Sequence, residues 1–329
     1  MWIDEKLMSL NAIGVDLGGT KIALALVDES GKIKKASRVP TDVEGGASAV
    51  IEQIRKAASK LMKAADSKAV GMGVGVAGQI DAETGLVHFA PNLDWHNVPL
   101  QSELNSALHL PVVITNDVRA ITWGEWLFGA GKGCNDLICA FVGTGIGGGV
   151  VINGEVVSGC SNTAGEIGHI TVDLQGPQCT CGNNGCMEAL AGGWGIARQA
   201  RAAISADKNA GEKLLQMADG KLEGISAKIV SLAYKEGDTL AKKLIDRAED
   251  ALIAGMTSLV NAFNPCRLIL GGGVIDGLPE LVERVEHGVR QRALDAATSS
   301  LQVLTAKLGD DAGVIGAAAL AMRSFKEKS

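Results

Sequence analysis

Four residues in the middle of the chain have the types and the spacing of a metal site. His169 is followed, ten residues later, by three cysteines that lie within one stretch of eight residues, Cys179, Cys181 and Cys186. Three thiolates and a neutral imidazole suit Zn²⁺, and four protein ligands complete its tetrahedron, so the sequence predicts a structural zinc rather than a catalytic one. The alternative, in which the cysteines are unrelated buried hydrophobes, fits poorly with such crowding.

Two carboxylates flank this cluster. Glu166 lies three residues before the histidine, and Glu188 lies two residues after the last cysteine. Polar groups that converge beside a fixed element are typical of a pocket for a small ligand. The segment therefore predicts a small-molecule site as well as a metal site.

Three glycine-rich turns each follow a predicted strand directly. Glycine lets backbone N–H groups approach a phosphate closely, and a nearby hydroxyl or ammonium group adds to the attraction. A strand follows the first turn where a Walker A loop or a dinucleotide fingerprint would have a helix, so it is neither of these. One such turn is equally consistent with an ordinary hairpin, but three together predict phosphate or nucleotide binding. They are Asp16 to Lys21 with Gly18, Gly19 and Thr20, Gly143 to Gly149 with Thr144, Gly145 and Gly147, and Gly271-Gly272-Gly273.

Polar residues near predicted strand ends add candidate chemistry. Asp117 follows the predicted strand Leu110–Thr115, and ligands bind at the carboxyl ends of strands in open α/β sheets. There it can accept the proton of a substrate hydroxyl during phosphoryl transfer, or simply cap the next helix. Asp16 can hold Mg²⁺, usually through water, or stabilise its turn. Asn92 can hydrogen-bond a sugar, although its loop needs no such role.

The elements that must position these residues alternate between strand and helix. Apolar periodicity predicts strands at Asn11–Leu17, Lys21–Asp28, Lys32–Val39, Ala69–Val76, Leu110–Thr115, Leu137–Val142 and Arg267–Leu270, with a hairpin at Val150–Val157. It predicts helices at Ala47–Ala64, Val118–Phe128, Met187–Ala203, Thr239–Phe263 and Ala312–Phe325. The pattern of Asn11–Val39 returns at Leu137–Val157, which predicts two similar α/β halves that face a cleft.

The composition excludes several function classes. A chain of 329 residues suggests two domains, and a net charge of −6 without a basic run is wrong for nucleic acid. No apolar stretch reaches the roughly 18–20 residues of a membrane span, and the first ten residues do not resemble a signal peptide. Seven cysteines are an odd number, so metal ligation is favoured over disulfides. A cytoplasmic protein is expected.

The motifs taken together resemble those of the ROK family (repressor, open reading frame, kinase). From about Ile13 to the C-terminal helix, the chain contains in the family's order D-L-G-G-T-K, A-P-N-L-D-W, I-T-N-D, V-G-T-G-I-G-G-G, A-G-E-I-G-H-I and C-x-C-G-x-x-G-C-x-E. The resemblance implies an α/β, two-domain actin-like ATPase fold of the ribonuclease H-like class, with a central interdomain cleft. It implies a smaller domain, residues 1–116 joined by the helix 313–329, and a larger domain with the zinc site, residues 117–312.

The same resemblance implies a function. Members of the family are mostly ATP-dependent kinases of the hexose 6-hydroxyl, so glucose is the expected substrate, with N-acetylglucosamine, N-acetylmannosamine or fructose as alternatives. Asp117 is the implied general base, and one nitrogen of His169 would face zinc while the other faces the sugar. ATP, Mg²⁺ and structural Zn²⁺ are the implied cofactors, polyphosphate is an alternative donor, and a homodimer is the implied assembly. The implied sugar set is Asn92, Asn116, Asp117, Glu166, His169 and Glu188, and the implied nucleotide set is Asp16, Gly18, Gly19, Thr20, Lys21, Thr144, Gly145, Gly147, Gly271, Gly272 and Gly273.

Two other classes and one departure complete the interpretation. Some ROK proteins are sugar-responsive regulators with an N-terminal helix-turn-helix module, for which the first strand at Asn11 leaves no room. A catalytically silent sugar-binding protein is the second alternative, and the intact Asp117 and phosphate turns argue against it. After Glu188 the family often continues toward a Ser-Gly pair, whereas this chain reads A-L-A-G-G-W-G up to Gly195. The departure bears on the nucleotide-side wall of the pocket.

Overall fold

The computed structural model describes residues 10–65, 68–207 and 209–328, and these form two compact units. The first unit comprises the described residues of Met1–Gly133, Val156–Ala164 and Lys307–Ser329, and the second comprises those of Cys134–Glu155 and Gly165–Ala306. The predicted domain division after residue 116 stays a prediction. Residues 1–9 and 329, at the two ends of the predicted smaller domain, lie outside the described residues. Residues 1–9 also make up most of the N-terminal segment that does not resemble a signal peptide.

A mixed five-stranded sheet forms the centre of the first unit. Its order is β3-β2-β1-β4-β8, with β1 antiparallel to β2 and parallel to β4, and β4 parallel to β8. The C-terminal ends of β1, β4 and β8 therefore share one edge. The strands of this unit are β1 (Asn11–Leu17), β2 (Lys21–Asp28), β3 (Ile33–Pro40), β4 (Met72–Val76), β5 (Gln79–Ile80), β6 (Val87–Ala90), β7 (Trp95–Val98) and β8 (Val112–Asn116), of which β5 to β7 form a separate small sheet.

Helices cover this sheet because its strands are apolar on both faces. All five residues of β4 are buried, as expected for a strand that lies inside a layered α/β structure. On one face, α1 (Gly46–Ala65) contributes Val50, Ile54 and Leu61, which recur at helical spacing and are buried. The remaining helices before the second unit are α2 (Leu100–Leu108) and α3 (Asp117–Leu127).

The second unit repeats this sheet topology. Its sheet has the order β11-β10-β9-β12-β13, with β9 antiparallel to β10 and parallel to β12, and β12 parallel to β13. The predicted duplication is thus confirmed in the two sheets. The elements are β9 (Leu137–Val142), β10 (Ile146–Ile152), β11 (Glu155–Val156), α4 (Met187–Ala191), α5 (Gly193–Ala206), α6 (Glu212–Met217), α7 (Ala227–Lys235), α8 (Thr239–Phe263), β12 (Arg267–Gly271), α9 (Gly273–Gly277), α10 (Glu280–Arg292), α11 (Asp295–Thr298) and β13 (Gln302–Thr305).

Helix α12 (Ala312–Lys328) returns to the first unit and packs on its sheet opposite α1. The contact is made backbone to backbone. A Cβ built on Gly14 of β1 would collide with the carbonyl oxygen of Val314, and one built on Gly73 of β4 would collide with that of Ala317. Glycine at these positions therefore sets the distance between helix and sheet.

Gly73→Ala is expected to destabilise the first unit. The atom that a new Cβ would strike is a backbone carbonyl, so the whole helix must move, and overpacking of this kind typically removes about 1–3 kcal/mol of the free energy of unfolding. A lower urea midpoint would report it. Gly224→Ala is the control, since its Cβ meets nothing closer than 3.4 Å, and its midpoint should hardly change. An unchanged midpoint for Gly73→Ala would contradict the close packing of α12.

Several predicted elements have different bounds in the structure. The helix predicted over Met187–Ala203 is broken at Gly192, whose extended backbone (φ −68°, ψ 152°) separates α4 from α5. The strand predicted from Ala69 begins at Met72, and the hairpin strand predicted from Val150 begins at Ile146. Gly147 therefore lies in β10 rather than in the turn. A helix, α9, begins at Gly273, the last residue of the third glycine turn. None of the described helices is long and apolar enough to span a bilayer.

Candidate functional site

The acids of the first unit meet at the C-terminal edge of its sheet. Asp16 is the penultimate residue of β1, and Asn116-Asp117 forms the junction of β8 and α3. Strand β4 lies between them, with Asp16 opposite Gly75 and Gly75 opposite Thr115. A Cβ at Gly75 would lie 3.3 Å from the Cα of Asp117, so the small residue lets the strand and the helix start approach each other.

Helix α3 begins one residue earlier than predicted, and Asn116 is its N-cap. The Oδ1 atom of Asn116 accepts hydrogen bonds from the backbone N–H groups of Val118 and Arg119 at 3.0 and 3.2 Å. The capping role considered for Asp117 is therefore filled by its neighbour. Asp117 itself stands in the first helical turn, where the positive end of the helix dipole favours a negative charge.

Burial raises the pKa of both carboxyl groups. Desolvation holds the pKa of Asp117 above its usual range. It also raises the pKa of Asp16 to about 6, the charge of Asp117 adds to this, and Lys21 acts in the opposite direction. A carboxylate with a raised pKa binds a proton more tightly, which suits a proton acceptor that works near neutral pH. A cation beside Asp16 would lower its pKa again.

Asp16→Asn is expected to stabilise the protein at pH 7.5 in Mg²⁺-free buffer. The folded-state pKa of Asp16, about 6, exceeds the ordinary value of 3.8, so the folded state binds more protons than the unfolded state between these values. Stability is then lost as the pH rises through this window, and the loss is complete above it. The variant should gain on the order of 1–3 kcal/mol at pH 7.5 and nothing at pH 3.5, by urea unfolding. An equal difference in the free energy of unfolding between variant and wild type at both pH values would refute this prediction.

The first glycine turn packs on the loop that carries Asn92. The N–H of Gly18 donates to the carbonyl oxygen of Lys21 at 3.0 Å, which closes the turn between β1 and β2. A Cβ on Gly19 would collide with the carbonyl oxygen of Asn92. Within the first unit, the predicted phosphate turn and a predicted sugar residue are therefore neighbours. The exposed side chains here are those of Thr20, Lys21 and Asn92.

Two buried charged residues of α3 hold other segments of the first unit in place, and sequence analysis overlooked both. The Arg119 guanidinium donates to the carbonyl oxygens of Asn162 and Ala164 at 3.1 and 3.2 Å and to the Asn162 side chain. The fully buried Glu125 carboxylate accepts from the backbone N–H groups of Ala130, Lys307 and Leu308 at 2.7 to 2.9 Å. Asp117 is thus carried by a firmly anchored helix.

The four predicted metal ligands lie together in the second unit, with their ligand atoms all within 4.8 Å of one another. The Sγ atoms of Cys181 and Cys186 are 3.7 Å apart, and the Cys179 Sγ is 3.6 Å from the His169 Nδ1. For Zn–S of about 2.3 Å and Zn–N of about 2.0–2.1 Å, a tetrahedron has edges of about 3.8 and 3.6 Å. The donor set and its spacing therefore fit Zn²⁺.

The loop that carries the cysteines is shaped by its own backbone. The N–H of Cys179 donates to the carbonyl oxygen of Asn183 at 2.7 Å, and the N–H of Gly182 donates to that of Cys179 at 3.1 Å. Gly185 has a φ of +68°, and a Cβ there would collide with the carbonyl oxygen of Asp173. Only glycine fits that position, and it lets the chain return to place the last cysteine beside the others.

The two acids that flank the cluster differ in their surroundings. The Glu166 side chain is exposed, at the start of a single 3₁₀ turn that contains His169. The Glu188 carboxylate accepts the backbone N–H of Ile146 at 2.7 Å and the indole N–H of Trp194 at 3.0 Å. A Cβ on Gly145 would collide with the same carboxylate. Glu188 therefore joins the second glycine turn to the start of α5.

A cavity of about 860 Å³ opens beside the second and third glycine turns. These turns are in contact, since a Cβ on Gly272 would lie 2.7 Å from the carbonyl oxygen of Val142. The cavity is within the usual size range of small-molecule sites. Its lining includes Gly143, Thr144, Trp194 and Gly273, together with residues that no motif marks, Arg201, Ser226, Lys228, Lys235 and Asp276. Ser226 is the N-cap of α7, and the other four lie in α5, α7 and α9, where charged residues have the pattern of ordinary solvent-exposed positions.

The predicted site residues thus form two groups, one in each unit. The structure brings members of each group together, at a sheet edge in the first unit and around the cysteine loop and the cavity in the second. The first group is Asp16, Gly18, Gly19, Thr20, Lys21, Asn92, Asn116 and Asp117. The second group is Thr144, Gly145, Gly147, Glu166, His169, Cys179, Cys181, Cys186, Glu188, Gly271, Gly272 and Gly273.

Duplicated mixed sheets with glycine turns at their strand ends define an α/β protein of the actin-like ATPase class, as predicted. More narrowly, the chain belongs to the ROK family, whose family model matches residues 12–324.

Three proteins illustrate the likeness. The chain is 37% identical to a glucokinase from Thermotoga maritima over 313 residues, which are 94% of this chain and 97% of that protein. A crystal structure of a ROK family glucokinase from Streptomyces griseus in complex with glucose and AMPPNP matches with 37% identity and a TM-score of 0.79, over 95% of this chain and 99% of that one. A ROK hexokinase from Thermus thermophilus matches with 31% identity and a TM-score of 0.83, over 97% and 100%. The predicted family and fold class are confirmed.

Proposed function

We propose that this protein is a glucokinase, which transfers the γ-phosphoryl group of ATP to the 6-hydroxyl of glucose. An ATP-dependent hexose kinase is the enzyme class predicted from the sequence, and the glucokinases matched over nearly the whole chain support it. The observation that carries the proposal is Asp117, a half-buried carboxylate with a raised pKa at the C-terminal edge of the first sheet, in a chain of this family.

Asp117 acts as the general base. It accepts the proton of the 6-hydroxyl as that oxygen forms a bond to the γ-phosphorus, while the bond from the γ-phosphorus to the bridging oxygen breaks and ADP leaves. Its raised pKa makes it a stronger proton acceptor than an ordinary carboxylate. Asp16, whose pKa burial and the neighbouring acid raise, would hold Mg²⁺. When bound, Mg²⁺ stabilises negative charge on the transferring phosphoryl group.

Hydrogen bonds position the sugar. Asn92, Asn116, Glu166, His169 and Glu188 take this role in the proposal. The Nδ1 atom of His169 faces Cys179, which leaves the Nε2 atom as the nitrogen that contacts the sugar. A zinc ion bound by the histidine and the three cysteines would fix the 3₁₀ turn and the first turn of α4, and with them the two acids. Such positioning can supply several kcal/mol of the barrier reduction.

The nucleotide occupies the cavity of the second unit. The Thr144–Gly145 turn and Gly271–Gly273 would bind phosphate and adenosine, and the basic residues Lys228 and Lys235 at the cavity suit an anionic ligand. Gly147 lies in β10 rather than in the turn. A cytoplasmic location and a homodimeric assembly remain predictions from the sequence.

A coupled assay that detects ADP tests the proposal. Glucose, mannose, fructose, N-acetylglucosamine and N-acetylmannosamine are each offered with ATP. Glucose is repeated with polyphosphate, and glucose 6-phosphate is measured in that case because polyphosphate releases no ADP. Glucose with ATP should give the highest kcat/KM. A higher value for an N-acetylated hexosamine or fructose would favour the other kinase alternatives. Sugar binding without turnover of any sugar would refute the kinase and favour a non-catalytic sugar-responsive protein.

A further inference from the structure

Trp194 stands where the sequence departs from the family pattern, and it contacts three parts of the second unit. Its indole N–H donates to the Glu188 carboxylate at 3.0 Å. Its side chain lines the cavity and also packs against the buried cysteines Cys179 and Cys186. The guanidinium of Arg198 lies 4.6 Å from the centre of the indole ring. A single side chain thus lies between the cavity, the cysteine loop and Glu188.

The backbone of Trp194 is hydrogen-bonded to the second glycine turn. The N–H of Trp194 donates to the carbonyl oxygen of Thr144 at 2.9 Å. Directly after that turn, at the start of β10, the N–H of Ile146 donates to the Glu188 carboxylate at 2.7 Å. One Glu188 oxygen therefore bonds to the first residue of β10, and the other bonds to the indole.

The orientation of Glu188 depends on both of these bonds. Hydrogen bonds to a carboxylate are charge-assisted and stronger than neutral ones. The Trp194 side chain, which carries the indole donor, lies on the cavity wall and is half-buried. The other donor, the backbone N–H of Ile146, belongs to strand β10. A molecule in the cavity therefore lies beside the one of these two donors to Glu188 that is a side chain rather than backbone.

We propose that Trp194 is a positioning residue that couples the nucleotide cavity to the sugar-binding acid. A nucleotide that contacts the indole restricts its motion and fixes its N–H on Glu188, so that the sugar meets a carboxylate already oriented. Nucleotide binding then raises the affinity for the sugar, and by reciprocity sugar binding raises the affinity for the nucleotide. This inference rests on the proposed function, which assigns the cavity to the nucleotide and Glu188 to the sugar.

Trp194→Phe tests the coupling because it keeps an aromatic ring at this position and removes the N–H donor. The dissociation constant of glucose is measured by calorimetry without nucleotide and with saturating AMPPNP and Mg²⁺. In the wild type, the nucleotide should tighten glucose binding by about fivefold or more, the usual lower range of such coupling. In Trp194→Phe the ratio should approach one, while AMPPNP still binds and the melting temperature and zinc content stay close to wild type.

Trp123→Phe, the same substitution in the first unit, is the control and should keep the wild-type ratio. A wild-type ratio in Trp194→Phe, or no coupling in the wild type, would overturn the inference. So would the loss of the ratio in Trp123→Phe. If another hexose proves to be the substrate in the coupled assay, that sugar replaces glucose here. Turnover in that assay judges the proposed function and the ratio judges the coupling, so the two failures are distinguishable.

Discussion

Asp117→Asn should lower kcat by at least about a hundredfold, the usual effect of losing a general base. The amide has nearly the same shape but cannot take up the proton of the sugar hydroxyl. The dissociation constant of glucose, measured by calorimetry, should stay within about threefold, since an amide still makes hydrogen bonds to a hydroxyl. Near-normal turnover would exclude Asp117 as the base.

The stability of this variant separates lost chemistry from lost folding. Because burial raises the pKa of Asp117, its ionised form is disfavoured in the folded protein, and this penalty is present above the folded-state pKa. The neutral asparagine removes it, so the melting temperature at pH 7.5 should not fall. Asp295→Asn is the matched control, since Asp295 also opens a helix, α11, but is exposed and far from the site in sequence. It should turn over glucose at the wild-type rate.

Cys181→Ser should remove bound zinc and weaken glucose binding by at least about tenfold, the lower range for disrupted metal sites. Three ligands remain, but the tetrahedron is incomplete, and a structural metal contributes directly to the stability of the loop it closes. Metal analysis, calorimetry and limited proteolysis of residues 166–188 would report the loss.

Cys266→Ser provides the comparison for this variant. Both cysteines are exposed and belong to the second unit, but Cys266 lies outside the metal cluster. It should retain zinc, protease resistance and glucose affinity. A Cys181→Ser protein that contains no zinc yet binds glucose normally would refute the idea that the metal holds the sugar-binding acids in place.

Several parts of this molecule could be predicted because their signals are local. β1, β2, β9 and α8 have the predicted bounds, since uninterrupted apolar runs and a long helical period leave little choice of structure. The four metal ligands could be recognised because they lie close together in the chain. The break at Gly192 was missed, because the apolar spacing of a helix continues on both sides of it.

Other features depend on contacts that sequence spacing does not contain. The bond from Trp194 to Glu188 and the lining of the cavity arise from residues on separate helices, whose charged positions have the pattern of ordinary solvent-exposed faces. Asn116 rather than Asp117 is the N-cap of α3, because the helix starts one residue before the predicted start. Either residue type is a good cap, so only the backbone geometry could decide between them.

The late position of α12 in the chain also affects how the first unit folds during translation. Its sheet partners, Gly14 and Gly73, are translated near the beginning, while the helix that covers them spans Ala312–Lys328. At about 5–20 residues per second, the ribosome needs roughly 10–40 s to travel from residue 133 to the end of that helix. During this interval the nascent first unit exposes the apolar sheet face formed by Ala12, Ala25 and Val27. We expect chaperones to bind ribosome-bound chains of this protein at that face until translation has passed α12.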